Sequence, residues 1–343
     1  MSELRHDPLS KRWVIIAGER SRRPEDLSAP EAAPHDRGFC PFCPGNEDKT
    51  PPEIAARRPN GGPANGSGWT VRIIPNKYPA LSIEGDLARQ GMGLYDKMRG
   101  VGAHEVVVES PQHDLHVADM DLPQLEDVLA MCQDRIRDLA RDPRFKYVLL
   151  FKNHGVAAGA TVAHPHMQLI ATPVTPRAIA VELESAREHF HLKERCIFCD
   201  LIQQEIDARE RIVSMDEHFV VMTPFASRFP FELLVIPRPH NHAFTDEPRD
   251  RMAALARTLK ETLARLKSVL RDPPYNFVLH AAPNTDTLVR RRHFWDTLAF
   301  DFHWHIEILP RLTRVAGFEW GTGFYVNPTA PEEAAAFLRD AVI

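Results

Sequence analysis

The chain has 343 residues, 43% of them hydrophobic and 26% charged, which is a globular composition with length enough for two domains of ordinary size. A formal net charge of −5 supplies no basic field for nucleic acid, so any phosphate site has to be a local cluster of Arg, Lys and His. Met1 to His6 are polar and no apolar run approaches the ~20 residues that span a bilayer, so a soluble cytoplasmic protein with no membrane partner is expected.

Trp13 to Ala17 reads as a strand. Behind it, Gly18 to Pro24 carries Arg20, Arg22 and Arg23, which on composition alone reads equally well as a solvated turn or an anion clamp. A Pro, Ala and acid-rich loop over 24–38 leads to Cys40-Pro41-Phe42-Cys43. Four of the five cysteines fall in two such Cys-x-x-Cys pairs, and in a reducing compartment that spacing points to metal rather than disulfides. Cys132 sits in a helical pattern and reads as core. A strand from Thr70 to Pro75 ends in Asn76-Lys77-Tyr78-Pro79, and a β-branched run beginning at Ala103 ends in Ser110-Pro111-Gln112-His113. Between Leu122 and Leu139 the apolar residues Leu125, Val128, Leu129, Cys132, Ile136 and Leu139 recur at helical spacing, which predicts an amphipathic helix over a sheet. Tyr147 to Phe151 reads as the next strand.

The stretch that follows, Asn153 to Gln168, carries the chemistry. Residues i and i+2 of an extended segment share a face, so His164 and His166 project together while Pro165 stiffens the backbone between them. One imidazole can bind a metal while the other serves as a nucleophile near neutral pH. Gln168, on the same face, can donate to an oxyanion, and Gly155 and Gly159 let the backbone approach a phosphate. Two satisfied surface histidines on a strand are the bland alternative, which leaves the asparagine, both glycines and the glutamine unexplained.

After a helical stretch near 178–190 the same signals return in the same order. Cys196-Ile197-Phe198-Cys199 repeats the first cysteine pair, and Glu232 to His240 repeats Glu105 to His113. Met252 to Val269 repeats the covering helix, Tyr275 to Leu279 the strand after it, and His303-Trp304-His305 falls where His164-Pro165-His166 stood. This is an internal duplication. The copies differ in chemistry: Glu307 replaces Gln168 and would repel a phosphoryl group, and the glycine loop gives way to Leu279-His280-Ala281-Ala282-Pro283. One nucleophile per chain, His166, is therefore expected.

With Asn153, Gly155, Gly159, His164, His166 and Gln168 so spaced, the chain resembles the histidine-triad superfamily and, within it, the galactose-1-phosphate uridylyltransferase branch. That branch carries Asn-x-Gly-x-x-x-Gly-x-Ser-x-x-His-Pro-His-x-Gln; Thr161 holds the serine position here, and Met167 stands where glycine is usual. The resemblance implies an α+β fold of two tandem histidine-triad modules, antiparallel half-barrel sheets covered by helices, in a homodimer. Residues 1–176 would form the module with the catalytic motif, and 177–343 a non-catalytic module that binds metal and contacts the hexose. It also implies that Arg20 and Arg23 hold phosphates, that Asn76 lies in the segment binding base and ribose, and that Asn153, Gly159, Thr161 and Gln168 steady the phosphoryl group that His166 attacks. Glu319 matches the glutamate that grips sugar hydroxyls, with Phe318 where tyrosine is usual and Thr313-Arg314 in place of a Lys-Phe pair.

For metal, the resemblance implies one zinc on Cys40, Cys43, His113 and His164, and by the repeat a second on Cys196, Cys199, His240 and His303. A competing set, Glu182, His280, His303 and His305, matches a metal site that the branch often carries; soft thiolates favour the cysteine set. The function implied first is UDP-glucose:hexose-1-phosphate uridylyl transfer by double displacement through a nucleotidyl-histidine. The Gly-Phe-Glu-x-Gly-Thr-Gly segment and the second cysteine pair resemble instead the ADP-glucose phosphorylase relatives, with ADP-glucose and phosphate as substrates. A non-catalytic zinc-stabilised nucleotide-binding protein is the alternative from another class.

Overall fold

The computed structural model of the chain describes residues 1–18, 24, 38–287 and 295–343. The first half contributes β1 (Glu3–His6), β2 (Trp13–Ile16), β3 (Ala55–Arg57), β4 (Val71–Pro75), β5 (Gln90–Met92), β6 (Tyr95–Lys97), β7 (Ala103–Val108), α1 (Leu122–Leu139), β8 (Tyr147–His154) and β9 (His166–Thr172). The second contributes α2 (Arg177–Lys193), α3 (Ile197–Ala208), β10 (Ile212–Met215), β11 (Phe219–Met222), β12 (Leu233–Pro237), α4 (Arg249–Leu270), β13 (Tyr275–His280), α5 (Leu298–Asp301), β14 (His305–Pro310), α6 (Gly317–Thr322), β15 (Tyr325–Asn327) and α7 (Pro331–Arg339).

Local chemistry explains the main elements. At α1, the Asp121 carboxylate accepts the Gln124 N–H (2.8 Å), satisfying one of the orphan donors of the first turn. The predicted apolar stripe from Leu125 to Leu139 is buried along its length. In β9 the period-2 alternation sends Met167, Leu169 and Ala171 into the core under α1 and α4, while His166 and Gln168 face the other way. Met167, at the position where glycine is usual, is a fully buried core residue.

The ten-stranded sheet runs β10-β11-β12-β14-β13-β8-β9-β7-β4-β3 and is antiparallel and open. Read outward from its middle, the order β8-β9-β7-β4-β3 of the first half is matched by β13-β14-β12-β11-β10 of the second. The halves meet where β8 pairs with β13, and Phe151 faces Val278 across that seam. Gln168 pairs with Phe151 and Glu307 with Val278, so the duplicated positions lie symmetrically on one row of the sheet. Helices α1 and α4 cover one face, and α2 and α3 pack on the second half's other face.

Two features depart from the sequence reading. The predicted N-terminal strand does not join the first half's sheet: β2 pairs in parallel with β15, from the second half, in a three-stranded sheet. And the second cysteine pair opens the helix α3, with Cys196 at its N-cap, whereas Cys40 to Cys43 form a turn.

Candidate active site and metal centres

His166 begins β9, and its Nδ1 lies 2.8 Å from the His164 carbonyl. A carbonyl only accepts, so the ring proton is on Nδ1 and the lone pair is on Nε2. Burial pushes the ring's pKa down to about 4, with the Lys152 ammonium acting in the same direction. Phe42, the aromatic of the first cysteine turn, packs edge-on to both His166 and His164, with centroids 5.5 and 6.1 Å away.

Beneath this segment lies a buried ion pair that the sequence reading did not single out. Lys152 Nζ is 2.6 Å from Glu109 Oε1 and 3.4 Å from the His166 carbonyl, while the Glu109 N–H reaches the Pro165 carbonyl at 3.3 Å. Both side chains are fully buried. The only sequence signal was a lysine at a core-facing position of β8; its partner comes from another strand.

Gln168 is held by His104, another residue the motif did not reveal. Its Oε1 lies 2.8 Å from His104 Nε2, and the Ala80 N–H donates to Nδ1 of the same ring (3.2 Å), which leaves the ring proton on Nε2 to donate to the glutamine oxygen. Among the described residues the Gln168 amide nitrogen has no partner. Asn76 packs beside the same ring, its Nδ2 3.1 Å from His104 Nε2, where two donors meet without a bond, and its Oδ1 accepts the Tyr78 N–H.

Asn153 closes β8, and a single 3₁₀ turn, Val156–Ala158, follows it. Gly155 and Gly159 flank that turn with φ of +79° and +92°, in the left-handed region where a side chain is strained. A Cβ on Gly155 would also stand 2.9 Å from Pro274 Cβ. Thr161 is exposed on the same loop. Glu319 is elsewhere occupied, its Oε2 accepting the Ala316 N–H (2.8 Å) at the start of α6. Arg20 and Arg23 lie outside the described residues.

Donor atoms of Cys40, Cys43, His113 and His164 fall within 4.8 Å of one another, and so do those of Cys196, Cys199, His240 and His303. Sulfur-to-Nδ1 distances are 3.3 to 3.7 Å in the first group and 3.4 and 3.8 Å in the second. Zinc bonded at its usual lengths gives a tetrahedron with edges of about 3.6 Å, so both donor sets fit that ion. In the first group His164 donates its Nε2–H to the Ser110 carbonyl (2.7 Å), which turns Nδ1 to the thiols. His240 does the same through the Ala299 carbonyl (3.0 Å).

The competing set is divided. His303 sits with the cysteines, and a third group joins Glu182, His280 and His305 with Glu307 instead. His305 repeats the His166 arrangement, its Nδ1 3.1 Å from the His303 carbonyl and its ring beside Phe198. In front of it, however, stand Glu182, 3.8 Å from Nε2, and His280, which bonds Glu182 at 3.0 Å. Arg228 Nη2 bridges Glu307 and Glu232, each at 2.7 Å. Despite burial, the two carboxylates Glu182 and Glu307 hold His280 up at about 9. His305 Nε2 thus faces a cluster of charged side chains whose donor atoms also lie within 4.8 Å of one another.

Fold and site define a duplicated α+β protein with a histidine pair beside a cysteine pair in each half, and with Glu182, His280 and Glu307 clustered around the second. The family profile of the galactose-1-phosphate uridyl transferase N-terminal domain matches residues 1–176, and that of its C-terminal domain matches 182–336. ADP-glucose phosphorylase of Arabidopsis thaliana is 34% identical, over 98% of this chain and 92% of that one. Galactose-1-phosphate uridylyltransferase of Thermotoga maritima is 30% identical, over 100% and 99%. The crystal structure of the Arabidopsis ADP-glucose phosphorylase with bound ADP-glucose superposes with a TM-score of 0.83 at 33% identity, over the whole of both chains. The chain belongs to the galactose-1-phosphate uridyl transferase family and is a nucleotidyltransferase of that family.

Proposed function

We propose that the chain moves a nucleotidyl group from a nucleotide sugar to a phosphate acceptor through a covalent bond to His166. The observation that carries this is the buried, neutral imidazole with its proton fixed on Nδ1 and with no partner among the described residues at Nε2. Nε2 attacks the α-phosphorus, hexose 1-phosphate leaves with the bridging oxygen, and an acceptor phosphate oxygen then displaces the imidazole. Gln168, through the amide nitrogen that His104 leaves free, donates to the phosphoryl oxygens together with Asn153, Thr161 and the backbone at Gly159. Arg20 and Arg23 hold the phosphates, Asn76 the base and ribose, and Glu319 the sugar hydroxyls once its bond to Ala316 gives way.

Of the two nucleotides, we place ADP-glucose first, with inorganic phosphate as acceptor. Support comes from the second cysteine pair, the Gly-Phe-Glu-x-Gly-Thr-Gly segment and the full-length likeness to the Arabidopsis enzyme. This reverses the order given by the sequence reading, which puts uridylyl transfer to a hexose 1-phosphate first. Intact-mass measurement after incubation with ADP-glucose or UDP-glucose decides between them: an adenylyl adduct is expected, a uridylyl adduct restores the other reading, and no adduct from either leaves a zinc-stabilised binding protein.

Zinc in the two cysteine–histidine groups would cross-link the turn that carries Phe42, and the first turn of α3 that carries Phe198, to the segments that carry the histidine pairs. Every residue assigned to the phosphates lies outside those groups. We also propose a homodimer, supported by the exposed Met92, Leu94 and Tyr95 of the β5–β6 hairpin; a sedimentation mass of one chain overturns it.

The depressed pKa of His166 sets a pH dependence. A ring already neutral above about 4 gains nothing as pH rises through the 6.5 of free imidazole, so adduct formation stays level from about pH 8 to pH 6 and falls only in more acid solution. Single-turnover rates against pH check this, and a limb centred near 6.5 would contradict it.

A further inference from the structure

Asn276, on β13 of the second half, stands directly opposite Asn153 across the seam and is buried. Its Oδ1 accepts from Arg311 Nε, and a guanidinium has only donors, so the Asn276 amide nitrogen must point the other way. That nitrogen commits both hydrogens, one to Asn153 Oδ1 at 2.8 Å and one to the Ala158 carbonyl at 2.8 Å. The one acceptor of the Asn153 side chain is therefore taken, and its Nδ2 is what remains to be offered. Nδ2 lies 3.5 Å from the Gly159 carbonyl, too far for a strong bond. Arg311 lies over the Phe229 ring, its Cζ 4.8 Å from the centroid, and no carboxylate of the described residues pairs with it. Pro274, two residues before Asn276, is the contact that excludes a side chain at Gly155.

We propose that Asn276 and Arg311 are positioning residues supplied by the second half to the site of the first. They form a one-way chain of donors, Arg311 to Asn276 to Asn153, that aims the Asn153 N–H groups at the transferred phosphoryl group and ties the Ala158 turn to them. This rests on the reading of Asn153 as a phosphoryl donor. It assigns the silent half a part in the chemistry: an amide that can present either end is held in one orientation.

The test is a mutant cycle of N153A, N276A and their double variant, with R311K and R311M alongside. Single-turnover adduct formation from ADP-glucose or UDP-glucose, ADP and UDP affinity by calorimetry, and thermal midpoint are read for each. N276A is expected to slow adduct formation on the order of 10- to 100-fold. The double variant should be no slower than the worse single variant, because both remove one aimed donor. R311K keeps a donor for Oδ1 and retains most of the rate, while R311M behaves like N276A and also serves if N276A does not fold. Losses that multiply in the double variant, or an N276A within about threefold of wild type, overturn the proposal. A wild type that binds ADP but forms no adduct refutes the transferase reading alone, and the same cycle in ADP affinity then decides the positioning. A wild type that binds neither ADP nor UDP overturns both.

Discussion

His166→Gly should form no nucleotidyl adduct and turn over on the order of 10⁴- to 10⁶-fold more slowly than wild type, the range seen when a covalent nucleophile is removed. The loss should fall on kcat, since the groups assigned to the phosphates, base and sugar remain. The matched control is His305→Gly. That ring has the same tautomer and the same aromatic neighbour, yet Glu182 and His280 stand in front of it, so adduct formation should be unchanged. Intact mass and single-turnover rates on both variants check the pair. An adduct that persists in His166→Gly would show the wrong nucleophile has been chosen, and one lost in His305→Gly would show that the second site is not silent.

Arg228→Leu should be the most destabilising exchange in the second half. Arg228 lies between Glu232 and Glu307, each 2.7 Å away, and all three are largely buried. Taking away the guanidinium leaves Glu307 with only His280 and Glu232 with only backbone N–H donors in low dielectric, and breaking a buried pair in this way costs about 3–5 kcal/mol. Against the effect of burial, Arg228 holds Glu307 down at about 2. A carboxylate depressed in the folded state stabilises fully above its unfolded pKa near 4, and the benefit is lost as pH falls toward 2. The gap between wild type and Arg228→Leu in denaturant midpoint should therefore be full at neutral pH and shrink in acid. Adding Glu307→Gln should recover part of the loss. A gap of less than about 1 kcal/mol at neutral pH would mean that the two glutamates find other partners or water.

What could be read from the sequence follows a physical rule. Signals carried by neighbours in the chain were legible: the helical stripe of α1, the two Cys-x-x-Cys spacings, and the alternation that puts His166 and Gln168 on one face. So was the duplication, which rests on order rather than geometry. Contacts set by strand register were not. His104 meets Gln168 where β7 pairs with β9, Lys152 of β8 meets Glu109 just past the end of β7, and Arg228, on the loop before β12, meets Glu307 of β14 only because the sheet brings distant segments together. The competing ligand set differs in one member, Glu307 standing with Glu182, His280 and His305 in place of His303, for a related reason: the sequence shows that His303 and His305 share a face, but not that one reaches the cysteines and the other faces Glu182. Even the N-terminal strand, correctly read as a strand, gave no hint of its parallel partner near the far end of the chain.

The seam between β8 and β13 bears on how the protein can be made. Both strands lie in the middle of the ten, and each would become a bare edge if its half stood alone. Leu150, Phe277 and Leu279 would then flank a row of unpaired backbone groups, the kind of surface that recruits other chains. During synthesis the first half emerges with β8 open on one side and waits for more than a hundred further residues before β13 can cover it. Among the strands that the first half gives to the ten-stranded sheet, the one that ends in the glycine loop is thus the last to gain its second neighbour, and the pairing that protects it from aggregation during folding also completes the site.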